Sequence, residues 1–199
     1  MGADRGTFSL ALANAGFQVY AVENKKGPFE NLRQNISQSQ FEITCLFSNG
    51  IDILPKEVDT CCILGMGGNT IYDILSKDGE KLSQLSTILI EPQSNASLPI
   101  SFLLSHGFRN DEGKYVYEKR YYPLLRFVKG EETNSDLEIK YGPSPVRKKD
   151  PLLKCMIEKE IQQQIPYLDQ EKAKEKYCSL KKEWEDIYFD SSKTFDSTR

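Results

Sequence analysis

A glycine-rich turn and a later acidic residue are the first features of this sequence that could bind a ligand. Gly2, Asp4 and Gly6 precede a short helical run, and Glu23 ends the next β-prone run. Backbone N–H groups in such a turn can approach a ligand closely, and an acid after the following strand can accept hydrogen bonds from ribose hydroxyls. The spacing from Asp4 to Glu23 is close to the roughly 20 residues of nucleotide sites. This pattern favours a nucleoside-containing ligand, with helix–strand packing as the other role open to the glycines.

Two more turns follow later β-prone runs. Asn49 could hydrogen-bond the edge of an adenine ring, with Gly50 allowing close approach, or the two residues could form a simple turn. The run 65–68, Gly-Met-Gly-Gly, follows a buried strand. In an open α/β sheet ligands collect outside the carboxyl ends of the strands, so these glycines indicate a second part of the same site.

The elements that must position these turns alternate along the chain. Continuous β-prone runs predict strands at 17–22, 42–47, 59–64 and 86–91. Between them, helical patterns follow Gly6, open at Pro28, cover 69–77 and run from Leu98 to His106. Two β-rich stretches, 114–119 and 121–128, then predict a hairpin. The sequence therefore predicts an α/β fold with a mainly parallel sheet that ends in an antiparallel strand.

The composition changes after residue 140. The segment 141–151 carries prolines and the basic triplet Arg147-Lys148-Lys149, which predicts a linker or hinge rather than a core element. Beyond it, apolar residues at helical spacing and Pro166 predict an antiparallel helical hairpin. From Asp190 onward we expect disorder.

Composition excludes several classes of protein. The 199 residues are 39% hydrophobic with a net charge of −3, and no apolar run approaches the roughly 20 residues that cross a bilayer. The chain has five cysteines without C-x-x-C pairing and a single histidine, His106, which argues against zinc ribbons, disulfide frameworks and histidine-dependent nucleophilic catalysis. We expect a cytoplasmic protein without metal or membrane contact, of unknown oligomeric state but with a monomer favoured.

Together these motifs resemble the bacterial tRNA (adenine(22)-N1)-methyltransferase family over nearly the whole chain. The matching segments are GADRG, AVENKKGPFENLRQNI, SNGIDIL, ILGMGGNTIYDIL, ILIEPQ, EKRYYPLLRF and KYGPSPVRKKDPLL. The resemblance implies a class I methyltransferase (Rossmann-like) sheet, S-adenosyl-L-methionine as cofactor, tRNA as partner, and methylation of N1 of adenine 22. It also implies that 1–140 form the cofactor-binding domain and 141–199 a linker and coiled-coil-like tRNA-binding appendage.

Site residues follow from the same resemblance. The cofactor-binding set is Gly2, Ala3, Asp4, Glu23, Asn24, Ser48, Asn49, Gly50, Gly65 and Met66. The substrate-binding set is Lys26, Gly67, Tyr122, Arg147, Lys148 and Lys149. Asp4, Gly65 and Glu91 form the catalytic set, because alignment is the main requirement and a carboxylate can stabilise the cationic product ring, with Asp4 as the first candidate for that carboxylate and Glu91 as the second.

Several roles have alternatives. Asp4 could instead organise the cofactor turn. Tyr121 or Tyr122 could stack on the extruded base, although tyrosines in a hairpin also serve sheet packing. Lys119-Arg120 adds local positive charge that phosphates favour, or is a solvated basic pair. The C-terminal hairpin is a tRNA clamp or a dimerisation pair.

The chain departs from the family at its start. Members have a helix and a buried central strand before the first-motif glycine, whereas Met1 directly precedes Gly2 here. We therefore expect the natural protein to start about 20 residues earlier, or the chain to be a defective fragment. Arg5, Glu91-Pro92-Gln93 and Pro123 also differ from the family pattern. The alternative functions are methylation of another RNA, a small molecule or a protein, and non-catalytic RNA binding.

Overall fold

The computed structural model describes residues 1–189. Their strands are β1 Val19–Glu23, β2 Ile43–Phe47, β3 Thr60–Met66, β4 Thr87–Pro92, β5 Phe108–Glu118 and β6 Arg120–Lys129. The helices are α1 Thr7–Asn14, α2 Lys26–Ser37, α3 Gly68–Leu75, α4 Gly79–Gln84, α5 Ser97–Ser105, α6 Asp136–Tyr141, α7 Pro143–Arg147, α8 Pro151–Gln164 and α9 Glu171–Tyr188. Short 3-10 turns cover Ile51–Ile53 and Ile165–Tyr167. The predicted alternation of strands and helices is confirmed, although α2 begins at Lys26 rather than at Pro28.

The strands form two groups. β1 and β2 are parallel, and the other four lie in the order β3-β4-β6-β5. β3 and β4 are parallel, while β6 is antiparallel to both of its neighbours. The expected α/β fold with parallel strands and a final antiparallel hairpin is therefore confirmed, although β1–β2 and β3–β4 are parallel pairs in two separate sheets rather than parts of one mainly parallel sheet. The main core covers the four-stranded group, where Ile63, Ile88, Ile90, Leu125 and Phe127 have no exposed surface.

The first residues of the chain join the two groups of strands. The Met1 ammonium donates a hydrogen bond to the Cys62 carbonyl of β3 at 2.8 Å, and the Ala3 N–H donates to the Val22 carbonyl of β1 at 2.9 Å. Val22 is next to the last residue of β1, and a Cβ at Gly2 would lie 2.0 Å from Cε of Met66, the last residue of β3. The carboxyl ends of β1 and β3 therefore lie at the same edge, which we call the strand-tip edge.

A second, smaller core holds the two-stranded group. Ala21 of β1 packs against Leu32 and Ile36 of α2, all three of them buried. Gly6 has φ 83°, and the Leu32 side chain occupies the space beside its Cα, since a Cβ there would lie 2.7 Å from Leu32 Cδ1. The turn of residues 2–6, which we call the first-motif turn, is thus fixed on α2 by close packing at a position that favours glycine.

The prediction of a linker after residue 140 is wrong. Tyr141 to Pro145 are buried, and the turn of α7 lies against β5. The Oδ1 atom of Asn110 accepts a hydrogen bond from the Ser144 N–H at 2.7 Å, and the Tyr115 hydroxyl donates to the Tyr141 carbonyl at 3.1 Å. We call this contact, Asn110 and Tyr115 with Tyr141 to Pro145, the junction.

The predicted antiparallel helical hairpin is confirmed by α8 and α9. The Tyr188 hydroxyl, at the end of α9, donates to the Asp150 carbonyl at the start of α8 at 2.9 Å. Leu153, Ile157 and Leu180 are buried between the helices and the sheet hairpin. The disorder expected from Asp190 onward concerns residues outside those described.

Candidate active site

Glu23 is a buried carboxylate at the tip of β1. It is 6% exposed, and its two oxygens accept hydrogen bonds from three backbone N–H groups. Asp4 donates to Oε2 at 3.0 Å, while Asn24 and Lys25 donate to Oε1 at 3.0 and 2.9 Å. These bonds hold the carboxylate against the first-motif turn. The two parts of the nucleotide pattern, separate in sequence, are therefore in direct contact.

The first-motif turn also contacts the Gly-Met-Gly-Gly bend. Gly2 has φ 67°, and a Cβ there would come 2.0 Å from Met66 Cε. Asp4 has φ 46°, an uncommon backbone conformation for a residue with a side chain, and it is exposed. Glu23 and Met66 thus lie on either side of the same turn. The structure thus brings the first glycine-rich turn, Glu23 and the Gly-Met-Gly-Gly bend together at one edge.

Gly65 forms a bulge at the end of β3. Leu64 pairs with Glu91 and Met66 with Pro92, so Gly65 is the extra residue between them. Its φ of 73° is a left-handed conformation that favours glycine, and its N–H donates to Glu91 Oε2 at 2.6 Å. Burial raises the pKa of the Glu91 carboxyl, the Gly65 hydrogen bond lowers it, and the charge of Glu118 raises it, with a net increase.

A cleft of about 510 Å³ opens beside Glu91. It is lined by the ends of β3 and β4 and by one face of the β5–β6 hairpin, with the side chains of Gln93, Glu118, Arg120 and Tyr122 among its walls. Sequence reasoning proposed no role for Gln93. Its position directly after β4, where ligands collect in open α/β sheets, was the available signal.

The cleft separates the two tyrosines that the sequence left as alternatives. Tyr122 lines the cleft, whereas Tyr121 packs against Tyr117 and the hydrophobic cluster of the C-terminal helices. Because side chains alternate along a strand, the two rings belong to opposite faces of the hairpin. Of these two tyrosines, Tyr122 alone lines the cleft.

The tip of β2 brings Ser48, Asn49 and Gly50 next to the tip of β1. The Ser48 N–H donates to the Glu23 carbonyl at 3.2 Å, which places this turn beside the buried carboxylate. Asn49 is exposed, and its Oδ1 accepts a hydrogen bond from Lys77 Nζ at 3.1 Å. Lys26, the first residue of α2, is exposed close to the same edge.

Gly67 and Gly68, the last two glycines of the Gly-Met-Gly-Gly bend, pack against the loop after β4. A Cβ at Gly68 would lie 2.1 Å from the Asn95 carbonyl oxygen, and the Gly68 N–H donates to Ser94 O at 2.7 Å. A Cβ at Gly67 would lie 3.0 Å from Ser94 Oγ. These glycines therefore let the loop after β4 approach the backbone of α3, while Gly65 faces the cleft.

The basic triplet lies away from the strand-tip edge. Arg147 forms ion pairs with Glu132 and Glu138, and Lys148 pairs with Glu112 of β5. Along β5, Glu112 is about 20 Å from Glu118, which lines the cleft at the hairpin end, at a rise of roughly 3.3 Å per residue. Lys149, at φ 52°, is exposed. Arg147 and Lys148 are thus each paired with carboxylates of the same chain at the protein surface.

Residues 1–189 lack a metal-binding cluster and a membrane-crossing helix. They contain no group of three or more His, Cys, Asp or Glu side chains arranged to hold a metal ion. None of the helices in this range combines the length and apolar character that a membrane crossing requires.

Comparisons with known proteins agree with this geometry. Residues 2–188 match the family model described as tRNA (adenine(22)-N(1))-methyltransferase, TrmK. No curated protein matches the sequence.

Three solved structures share the fold. TrmK of B. subtilis, an M1A22 tRNA methyltransferase, is 20% identical with a TM-score of 0.78, over 94% of this chain and 89% of that one. M. capricolum TrmK in complex with S-adenosyl-homocysteine is 23% identical with a TM-score of 0.76, over 94% and 86%. Streptococcus pneumoniae Sp1610 in complex with S-adenosyl-L-methionine is 21% identical with a TM-score of 0.81, over 92% and 90%. At these identities the likeness shows the fold alone.

Proposed function

The chain belongs to the tRNA (adenine(22)-N(1))-methyltransferase family, and we propose that it methylates N1 of adenine 22 in tRNA at the strand-tip edge, with S-adenosyl-L-methionine as methyl donor. The observation that carries this proposal is the contact of residues 1–4 with both Glu23 and Met66. This contact brings Glu23, a carboxylate of the type that binds ribose, next to the Gly-Met-Gly-Gly bend that borders the cleft.

The residues at this edge fit the cofactor. A carboxylate offers about four acceptor positions, and backbone N–H groups occupy three of those on Glu23, so one remains for a ribose hydroxyl. Gly2, Ala3 and Asn24 border that carboxylate, and Ser48, Asn49 and Gly50 would contact the adenine ring. Gly65 and Met66 would contact the methionine part. When bound, S-adenosyl-L-methionine supplies an electrophilic methyl group on a sulfonium sulfur.

The chemistry asks mainly for alignment. Adenine N1 has a free lone pair at neutral pH, so no side chain has to remove a proton before it reacts. The methylated ring is cationic, and a nearby carboxylate stabilises that charge. Glu91 lines the cleft together with Tyr122, which supports it as the stabilising group; Asp4, on the other side of Met66, is the second candidate. Tyr122 would stack on the extruded base above Gly65.

The division of labour along the chain is part of the proposal. Residues 1–140 would bind the cofactor and the target base, and 141–199 would bind the body of the tRNA, with Lys26 and Lys149 contacting phosphates. We assign Arg147 and Lys148 to holding the appendage in place, because their ion pairs join it to Glu132, Glu138 and Glu112, which all lie before residue 141. We further propose that the enzyme is cytoplasmic and acts as a monomer.

Two measurements test the proposal. Isothermal titration should detect binding of S-adenosyl-L-methionine to the purified protein. Transfer of a labelled methyl group to unmodified tRNA, followed by mapping of the modified base, should give label at N1 of adenine 22. Label at another position would contradict the substrate assignment, and binding of tRNA without cofactor binding would reduce the protein to an RNA-binding module.

A further inference from the structure

The two faces of the β5–β6 hairpin end have different surroundings. One face carries Val116, Glu118, Arg120 and Tyr122 and lines the cleft. The opposite face carries Tyr115, which is buried in the junction, and then Tyr117 and Tyr121 nearer the turn. The hairpin end therefore separates the cleft from a second surface that the proposed chemistry does not use.

Tyr117 is the prominent group of that second surface. It is 55% exposed although it is a large aromatic side chain within a strand. It pairs across the hairpin with Tyr121, at 4.7 Å between ring centroids. Tyr121 in turn packs against the C-terminal helices, with Lys159 Nζ 5.9 Å from its ring centroid. Tyr117 is thus supported on one side and open on the other.

Two lysines lie close to the Tyr117–Tyr121 pair. Lys119 occupies the hairpin turn between the two faces, with φ 61°; it is exposed and forms no ion pair with another residue in the range 1–189. Lys159 adds a second cation on the side of Tyr121, whereas Arg120 belongs to the cleft face. An exposed aromatic ring bordered by cations is the arrangement that binds unstacked RNA bases, since the ring stacks and the cations contact phosphates.

We propose that Tyr117 stacks on a tRNA base that neighbours the target adenine, while the target lies in the cleft on the other face of the hairpin. This inference rests on the proposed function. A base that leaves its stack exposes the faces of its neighbours, and this costs stacking free energy. A ring on the far side of the hairpin replaces the lost contact, so the hairpin end keeps the two bases apart.

The experiment compares three variants of the full chain. Tyr117→Ala removes the ring, and Tyr117→Phe keeps the stacking surface without the hydroxyl. Phe17→Ala is the matched control, because Phe17 is a 64% exposed aromatic residue at the amino end of β1, away from the strand-tip edge. Fluorescence anisotropy with unmodified tRNA gives the tRNA affinity, isothermal titration gives the affinity for S-adenosyl-L-methionine, and thermal melting checks folding.

We expect Tyr117→Ala to weaken tRNA binding by roughly 5- to 100-fold, the range for one stacked base. Tyr117→Phe and Phe17→Ala should stay within about 3-fold of the original protein, and cofactor affinity should not change in any variant. Unchanged tRNA affinity in Tyr117→Ala, with methylation of adenine 22 intact in the original protein, would overturn this inference alone. Absence of methyl transfer in the original protein would instead defeat the proposed function. A change of oligomeric mass in Tyr117→Ala without a change in tRNA affinity would identify Tyr117 as a protein contact and also overturn it.

Discussion

The strand-tip edge and the junction are both rich in polar groups, and they use those groups in opposite ways. At the junction, Asn110 is 3% exposed, and its side chain forms three hydrogen bonds with backbone groups of Glu112, Arg126 and Ser144. At the strand-tip edge, Asp4 is exposed and Glu91 lines an open cleft. Groups that are satisfied within the chain hold the fold together, whereas groups with acceptor capacity left over are available to a ligand.

Glycine shows the same contrast. Gly142 at the junction has φ 98°, and a Cβ there would lie 2.8 Å from Leu125, so the space is filled by core packing. Gly65 has φ 73°, and the nearest atom to a Cβ there is Gln93 Nε2 at 3.9 Å, in the wall of the cleft. A positive φ therefore marks both regions, and only the surroundings show which one binds a ligand.

The largest effect that would test this comparison is a loss of stability at the junction. Asn110→Ala leaves the buried Ser144 N–H and two carbonyl oxygens without their partner, and we expect it to lower the free energy of unfolding by about 3 kcal/mol. Urea unfolding measures this. The affinity for S-adenosyl-L-methionine, measured where the variant is folded, should stay the same. Asn14→Ala, at an exposed position of α1, is the control and should change stability by less than about 0.5 kcal/mol.

The matching test at the strand-tip edge is Glu23→Ala. Loss of the charged acceptor should weaken binding of S-adenosyl-L-methionine by about 100-fold, because hydrogen bonds to charged groups contribute roughly 1.5–3 kcal/mol each. Isothermal titration gives the change, and Glu30→Ala, an exposed carboxylate of α2, should leave the affinity unaltered. Cofactor affinity that survives Glu23→Ala would remove Glu23 from the proposed site.

The sequence predicted those parts of the molecule that depend on local pattern. The apolar runs of β1 to β4 located the parallel strands, and the rule that parallel strand ends share an edge brought Glu23 and Gly65 together. α4 was not predicted, because Gly79–Gln84 is short and polar. The first half of β5 was also missed, because its polar residues include Asn110, which is buried only through hydrogen bonds with distant segments.

Roles that depend on distant partners could not be read from the sequence. The prolines of 141–145 indicated a linker. In the structure these residues are buried, because the turn of α7 lies against β5, and that contact leaves no local pattern in the sequence. Arg147 looked like a phosphate ligand because Glu132 and Glu138, which pair with it, carry no signal of that contact in the sequence. Tyr121 and Tyr122 were equivalent until the register of the hairpin assigned them to opposite faces.

A smaller effect separates two arginines that look alike in the sequence. Arg147→Ala removes an ion-pair network that is partly exposed, so we expect a loss of about 1 kcal/mol of stability and a change in tRNA affinity below about 3-fold. Arg120→Ala should show the reverse, with unchanged stability and an affinity for tRNA that is several-fold weaker at low salt. Thermal melting and tRNA anisotropy measure both properties. A tRNA defect in Arg147→Ala as large as that in Arg120→Ala would restore Arg147 to the binding surface.

The smallest expected effect is a difference in how the two regions respond to pH. Beside the junction, burial raises the pKa of Glu183, but hydrogen bonds from Lys140 and from Tyr141 of the junction outweigh it, so the pKa lies below the ordinary value of 4.5. A lowered pKa stabilises the folded state above pH 4.5, and this contribution is lost as the pH falls through the folded value.

Glu91 should act in the other direction. Its pKa is raised above the ordinary 4.5, mainly by burial, so the folded state binds the proton more tightly and stability falls as the pH rises from 4.5 through the folded value. Melting temperatures of Glu183→Gln and Glu91→Gln against pH separate the two. We expect Glu183→Gln to lose part of the acid-induced destabilisation and Glu91→Gln to lose part of the decline above pH 4.5. If both variants changed the pH profile in the same direction, the pKa values of Glu183 and Glu91 would be shifted in the same direction. The contrast between the two regions would then not extend to their carboxylates.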